Sequence, residues 1–344
     1  MTLTYEQIMS ELKGKQYRPI YFLMGEEPYF IDAVTDYIAE HALQEHEKAF
    51  NLSVMYGKDV TIYQVIDAAK RFPMGASRSV VIVREAQDVT DPDDKRTKGK
   101  MDKLLFYAEK PLHSTVLVIA YKYKKALDKR SKLYKQLEKT AVILDAKKIY
   151  EDKIPGWIDN YLSGHGYTID PKAALLLTDY LGNELGKVVN ELDKLIIALS
   201  GEKTRKITAD HIEKNVGISK EYNVFELQNA LGEKNILKAN RIVCYFSQNP
   251  KEHSLVGIVA NLFVFFEKLL KYSYLSDKSQ AIAIFKMNPY FLRDYENAAR
   301  KYPAGKLVQI ISLLREYDLK SKGIGSSSAS DGDLMREMIY KIMH

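Results

Sequence analysis

Five short runs of β-branched and other apolar residues alternate with helix-like segments over the first 146 residues, and this alternation constrains the fold more than any other feature. Apolar strands separated by helices are typical of a parallel sheet with right-handed crossovers. The five predicted strands are 20–24, 51–56, 79–84, 115–120 and 141–145. The helices predicted between them are 28–43, 61–71, 97–109 and 128–139.

The first predicted strand runs into the turn Gly25-Glu26-Glu27-Pro28, where a nucleotide-binding protein of this architecture carries its phosphate loop. That loop has the pattern G-x-x-x-x-G-K-[S/T], in which backbone amides and a Lys bind phosphates and a hydroxyl binds Mg²⁺. Counted from Gly25, the last three positions hold Phe30-Ile31-Asp32 instead. Two glutamates also open the turn, and their charge repels a triphosphate. The sequence thus predicts a nucleotide-type fold that cannot hold nucleotide in the usual way.

The other residues that catalysis would need are missing too. P-loop ATPases place an acidic metal ligand at the end of a central strand, whereas Arg84 and then Glu85 follow Val80–Val83 here. We interpret Glu85 as a surface or capping carboxylate. The histidines show no zinc-binding spacing, no cysteine cluster exists, and Gly-x-Ser-x-Gly is absent. We therefore predict no catalytic residue, no cofactor and no metal site.

Beyond residue 147 the strand signals stop and apolar residues recur at helical spacing. Residues 185–199 carry the clearest stripe, typical of a helix with one buried face. Helices are predicted at 151–164, 171–181, 185–199 and 208–215, then at 223–231, 234–247, 252–275, 279–286, 289–301, 304–320 and 331–343. We predict three domains: an α/β domain at 1–147, a small helical domain at 148–217 and a larger helical domain at 218–344.

Composition sets the outer limits. With 46% hydrophobic and 28% charged residues, the chain is typical of an ordinary soluble protein. The N-terminus has no signal-peptide core, and Leu255–Phe266 is too short to span a bilayer, so we expect a buried helix there and no membrane contact. The single cysteine, Cys244, suits a reducing cytoplasm and is predicted to be a small core residue.

The net charge of +6 is concentrated in residues 121–139, which hold eight basic and two acidic side chains. Such a cluster could displace counterions from nucleic-acid phosphates. It could equally be the solvated face of an amphipathic helix that packs through Leu127, Tyr134 and Leu137. Both interpretations stay open. Residues that would face DNA are Lys124, Lys125, Lys129 and Lys132.

Five segments of the chain form a recognisable series. The first two are Tyr21–Pro28 and the stretch Arg71-Phe72-Pro73-Met74-Gly75 leading into Ser79–Arg84, and the others are 128–135, 181–195 and 221–227. Each segment is weak alone. Together, and in this order, they cover nearly the whole chain and resemble the delta subunits of bacterial DNA polymerase III clamp loaders.

The resemblance implies an AAA+-like protein: a RecA-type parallel-sheet domain, a small helical lid domain and a C-terminal helical collar domain. Members of that family do not hydrolyse ATP. They bind and open the sliding clamp, they join the other clamp-loader subunits in a hetero-pentamer through the collar, and they act on primed DNA within that complex. Membership of the DNA polymerase III holoenzyme, a DNA-directed DNA polymerase, is the only link to nucleotidyltransferase activity.

The family's clamp contact lies just before the third strand, at positions that match Phe72, Pro73, Met74 and Gly75 here. Two large apolar groups beside a turn that ends a helix suit a protruding anchor, although Gly75 stands where a bulky residue is common. Packing of Phe72 and Met74 against the sheet is the structural alternative. The helix after Pro28 is expected to widen the contact. A nucleotide-dependent AAA+ ATPase with an atypical pocket and a stand-alone DNA-binding protein are the alternative functions.

Overall fold

The structure is a computed structural model that describes residues 1–93, 101–123, 127–202, 204–285, 289–325 and 329–344. Its chain forms two compact units, Met1–Tyr150 and Glu151–His344. The finer predicted boundaries, at 147 and at 217, remain predictions. No helix in the described ranges is long and apolar enough to cross a membrane.

The first unit is built on a five-stranded parallel sheet with strand order β2-β3-β4-β1-β5. The central strands are buried on both faces, as their apolar sequences predicted. The strands are β1 (Ile20–Gly25), β2 (Leu52–Tyr56), β3 (Ser79–Arg84), β4 (Thr115–Lys122) and β5 (Val142–Ala146). The helices of this unit are α1 (Tyr5–Lys13), α2 (Pro28–His41), α3 (Glu45–Asn51), α4 (Ile62–Ala69), α5 (Leu104–Glu109) and α6 (Lys132–Thr140).

All five predicted strands are confirmed, whereas α1 and α3 were not predicted. Both are short, and α3 has the sequence Glu-His-Glu-Lys-Ala-Phe-Asn, which carries no apolar stripe that would have revealed it. The predicted helix 97–109 begins at Leu104 in the described part of the chain, and positions 97–100 lie outside it.

The second unit is almost entirely helical. Its helices are α7 (Ile154–Gly164), α8 (Pro171–Leu181), α9 (Leu185–Ala198), α10 (Ala209–Val216), α11 (Val224–Gly232), α12 (Ile236–Gln248), α13 (Leu255–Tyr274), α14 (Ala281–Phe285), α15 (Leu292–Lys301), α16 (Ala304–Ser321) and α17 (Asp331–Met343). The predicted stripe is confirmed on α9, where Leu185, Val188 and Leu192 are buried. Helix α13 includes the apolar segment predicted as a buried helix.

Two predictions for the second unit are wrong. A short parallel strand pair, β6 (Thr168–Ile169) with β7 (Lys206–Ile207), lies where only helices were expected, because two-residue strands leave no periodic signal. Cys244 is exposed rather than buried. The buried face of α12 is formed by other positions, and Cys244 lies on the polar side together with Arg241 and Gln248.

Candidate functional site

The turn after β1 is occupied by the protein's own groups. The backbone N–H groups of Glu26 and Glu27 both donate to the Ala146 carbonyl, at 2.8 and 3.0 Å. In a phosphate loop, turn amides of this kind would point at the ligand. Gly25, with φ +137°, permits this approach, since a Cβ there would lie 2.2 Å from the Ala146 oxygen. The turn is therefore joined to the end of β5.

The N-terminus of α2 carries a carboxylate of the chain itself. Glu27 is 4% exposed, and its Oε1 accepts a hydrogen bond from the Tyr29 N–H at 3.2 Å. Burial raises the pKa of Glu27, and the Tyr29 hydrogen bond and Lys148 partly oppose that rise. A helix N-terminus favours an anion, and here the side chain of Glu27 takes the place that a phosphate would use.

A network of ion pairs covers the carboxyl ends of the central strands. Lys122, at the end of β4, is 7% exposed, and its Nζ lies 2.7 Å from Asp32 Oδ1 and 3.3 Å from Glu85 Oε1. Arg84, at the end of β3, pairs with Asp36 and lies 3.8 Å from Asp32. Asp32 stands at the position of the Mg²⁺-binding hydroxyl in a phosphate loop. Its carboxylate lies within ion-pair distance of two cations of the protein, Lys122 and Arg84.

The pKa directions agree with this pairing. Burial alone would lower the pKa of Lys122, but the contacts with Asp32 and Glu85 outweigh it and raise the pKa overall. The pKa of Arg84 is raised in the same way, with Asp36 and Asp32 outweighing burial. Glu85, predicted as a surface or capping carboxylate, is partly exposed at the N-cap position of the 3-10 turn Ala86–Asp88, makes no side-chain capping hydrogen bond there, and pairs with Lys122. Both cations stay charged at neutral pH.

The opposite edge of the sheet presents the four residues predicted to bind the clamp. Helix α4 ends at Ala69, and residues 70–78 lead back to the amino end of β3. We call this segment the tip. Phe72 is 76% exposed and Met74 is 68% exposed, so neither packs against the sheet. Pro73 is half-buried, and Gly75 is exposed with φ +67°. Exposed large apolar side chains on one loop are typical of a protein-binding surface.

Helix α3 supports the tip and was missed at the sequence level. Asn51, its last residue, is 4% exposed and contacts the backbone of Met74 through two hydrogen bonds. Phe50, one residue earlier, is 74% exposed. The sequence near Asn51 does not reveal its contact with the tip, because the hydrogen bonds join residues 23 positions apart. It likewise does not reveal that Phe50 is exposed beside that contact.

The basic segment is only partly described. Lys124 and Lys125 lie outside the described residues. Lys132, the first residue of α6, and Lys129, just before that helix, are exposed, whereas the buried side of α6 consists of Leu133, Tyr134 and Leu137. The packing predicted for Tyr134 and Leu137 is therefore confirmed, and Leu127, which precedes the helix, is partly buried against the same core. This packing does not exclude DNA contact, since the lysines lie on the solvent face.

Comparison with known proteins finds similarity to DNA polymerase III delta subunits and, over a shorter stretch, to a replication factor C subunit. Residues 21–147 match the family model described as DNA polymerase III, delta subunit. The DNA polymerase III subunit delta of Bacillus subtilis (strain 168) is 26% identical over 321 residues, which cover 92% of this chain and 91% of that protein. A weaker match, 25% identical over 146 residues, is the replication factor C large subunit of Methanococcus vannielii; it covers 42% of this chain and 28% of that protein.

A solved structure supports the fold. The Bacillus subtilis DNA clamp loader delta protein matches with a TM-score of 0.53 and 23% identity, and the match covers 98% of this chain and 99% of that one. The predicted fold class, a parallel-sheet α/β domain followed by an all-helical region, is thereby confirmed. The family model, the relative that is similar over nearly the whole chain, and the shared fold therefore agree: this chain is similar to DNA polymerase III delta subunits.

Proposed function

We propose that this chain is the clamp-opening subunit of a bacterial clamp loader, which binds the sliding clamp and opens it for loading onto primed DNA. The observation that carries the proposal is the exposure of Phe72 and Met74 on the tip. Their sequence positions match the clamp contact of the family. An exposed Phe and Met on a supported loop suit insertion into an apolar pocket of a partner.

The free energy that the tip alone could contribute is too small to account for binding. Burial of Phe72 and Met74 would give about 1.5–3 kcal/mol each, whereas association costs about 4–15 kcal/mol. Further surface must contribute. Phe50 is the best-placed candidate, because it neighbours Asn51, which contacts the tip directly. Helix α2 stays a second candidate.

Within this proposal the chain hydrolyses no ATP. The support is chemical: the turn amides bind Ala146, Glu27 occupies the helix N-terminus, and Asp32 is paired with Lys122. Holoenzyme membership would then be the chain's only connection to polymerase activity. Isothermal titration of the purified protein with Mg·ATP, together with a phosphate-release assay, checks this. Stoichiometric ATP binding would favour the alternative of an AAA+ ATPase with an atypical pocket.

We propose that residues 218–344 form the collar that joins the other subunits in a hetero-pentamer, and that residues 148–217 form the lid. Exposed apolar side chains in the collar region support an assembly surface, among them Leu237, Val308 and Tyr340. This role places the protein in the bacterial cytoplasm, where the chromosome is replicated.

Contact with primed DNA within the complex is proposed for Lys124, Lys125, Lys129 and Lys132. The exposure of Lys129 and Lys132 supports it. In the assembled complex, Lys129→Ala with Lys132→Ala should make the salt dependence of DNA binding shallower by about one to two logarithmic units per decade of salt. DNA binding of equal strength by the isolated chain would favour a stand-alone DNA-binding protein instead.

Clamp binding by the purified chain tests the main proposal. Phe72→Ala with Met74→Ala should weaken affinity for the sliding clamp of the same organism at least about a hundredfold. Thermal unfolding should be unchanged, because both side chains are exposed. Tyr150→Ala, which removes an aromatic side chain that is 78% exposed outside the tip, is the matched control. Unchanged affinity in the double variant would show that the tip is not the contact.

A further inference from the structure

The tip is attached to helix α3 by one side chain. Asn51 Oδ1 accepts a hydrogen bond from the Met74 N–H at 2.7 Å, and Asn51 Nδ2 donates to the Met74 carbonyl at 3.0 Å. A single amide thus satisfies both backbone polar groups of one anchor residue. Nδ2 also donates to the Glu47 carbonyl at 3.0 Å, which fixes the amide within α3.

The two ends of the tip are held by Lys70 and Arg71, which donate to carbonyls of α4, and by Arg78, which lies over the Tyr17 ring at 4.5 Å, but its middle has few other contacts. Gly75 follows Met74 with φ +67°, and a Cβ built there would meet no atom within 4 Å. Among the described residues, no other hydrogen bond holds the backbone from Phe72 to Ser77. A loop with so few contacts would sample many conformations if the two bonds were lost.

An amide side chain is required at position 51 to bind both backbone polar groups of Met74. The amide side chain offers an acceptor oxygen and a donor nitrogen in one plane, and these reach the N–H and the C=O of the same residue, Met74. The Asn51 residue itself is 4% exposed, and its two bonds to Met74 are partly buried. Aspartate would keep the acceptor, lose the donor and bring a charge towards a carbonyl oxygen, so it cannot replace the pair.

We propose that Asn51 is a positioning residue for clamp binding: it holds the Met74 backbone so that Phe72 and Met74 are presented in the bound geometry before the partner arrives. This inference rests on the proposed function of the tip. Pre-ordering a loop removes an entropic cost that binding would otherwise carry. Loss of Asn51 should therefore weaken clamp binding even though both apolar anchors remain.

The first test measures hydrogen exchange in the tip of the free protein, without the clamp. In the full chain, Asn51→Ala should speed hydrogen exchange at the Met74 amide at least about tenfold, because that amide loses its acceptor. Lys48→Ala is the matched control in the same helix; Lys48 pairs with Glu45 at 2.7 Å and is expected to leave Met74 exchange and clamp affinity unchanged. Unchanged Met74 exchange in Asn51→Ala would overturn the proposal.

The second test is a double-mutant cycle on affinity for the sliding clamp. Asn51→Ala should weaken binding about tenfold in the otherwise unchanged chain, Asn51→Asp should do the same, and neither should weaken it further when Phe72 and Met74 are already alanine. An equal loss in both backgrounds would mean that Asn51 acts independently of the tip, which overturns the proposal.

The outcomes separate this inference from the proposed function. If the Phe72→Ala, Met74→Ala variant binds weakly and Asn51→Ala binds normally, the clamp contact stands and the positioning role is wrong. If the Phe72→Ala, Met74→Ala variant binds normally, the clamp contact itself is wrong, and the role of Asn51 in clamp binding is wrong with it, whatever the exchange rate shows.

Discussion

The two edges of the parallel sheet in the first unit have opposite chemistry. At the carboxyl edge, charged side chains are present and pair with one another, as Lys122 does with Asp32 and Glu85. At the amino edge, Phe72 and Met74 are apolar and exposed. Ligands of open α/β sheets normally bind at the carboxyl ends of strands. In this protein the carboxyl edge is closed by internal contacts and the candidate site lies at the other edge, which illustrates that a fold does not fix the place of function.

Two glycines offer the strongest test of this contrast. Gly25→Ala should lower the free energy of unfolding by about 3 kcal/mol or more, because a Cβ would clash with the Ala146 backbone at a φ of +137°. Gly75→Ala, the same change at the tip, adds no clash and should cost about 1 kcal/mol of backbone strain. Chemical denaturation of both variants measures the difference. Equal losses would show that the two edges are packed alike.

Breaking the ion network should affect stability but not clamp binding. Lys122→Met removes a 7%-exposed cation and should lower the free energy of unfolding by about 1–3 kcal/mol. The loss stays below that of a fully buried pair, because the Asp32 and Glu85 side chains keep about one-third of their exposure. Lys103→Met, at a more exposed pair with Asp93, should leave stability nearly unchanged. A large loss of clamp affinity in Lys122→Met would mean that the two edges are coupled.

The Phe50→Ala variant tests whether Phe50 is part of the clamp contact at the amino edge. If Phe50 shares the contact, Phe50→Ala should weaken clamp affinity about tenfold, which corresponds to about 1.4 kcal/mol. Stability should not change, since the side chain is 74% exposed. Surface plasmon resonance with immobilised clamp measures the effect. Affinity within twofold of the unchanged chain would restrict the contact to the tip and direct attention to α2.

The smallest effect is expected from alkaline pH. The pKa of Lys122 is raised in the folded state, so its contribution to stability is fully present below about pH 10.5, the ordinary Lys value, and is lost as the pH rises through the raised pKa. Denaturation midpoints measured from pH 9 upwards should fall more steeply in the unchanged chain than in Lys122→Met. Parallel curves for the two proteins would contradict the assigned pairing.

The sequence predicted what depends on local pattern. The β-branched runs identified all five strands, and the triplet Phe30-Ile31-Asp32 showed that the phosphate loop was missing. The exposure of Phe72 and Met74 agrees with the surface role that the resemblance implied. Each of these signals lies within a short segment, where the spacing and type of the residues are enough for a prediction.

The contacts that explain the site could not be predicted, because they join distant positions. Asn51 reaches Met74, and Lys122 reaches Asp32, only after the sheet has formed. Nothing in a run such as Ala-Phe-Asn indicates that its Asn will bind another loop. The exposed position of Cys244 was missed for a related reason. The face of α12 that is buried depends on which residues pack against the rest of the unit, and a single apolar residue does not determine that face.

The strand order has a consequence for how the protein is made. Strand β1 pairs on one side with β4, where Ile20 faces Leu117, and on the other with β5, where Tyr21 faces Val142. During translation β1 leaves the ribosome long before either neighbour exists, and such distant parallel pairings form slowly. Until its neighbouring strands have been synthesised, this apolar strand can bind chaperones or aggregate. Synthesis that pauses soon after Ala146 has emerged should therefore raise the yield of correctly folded chains, whereas a pause before Thr115 should lower it.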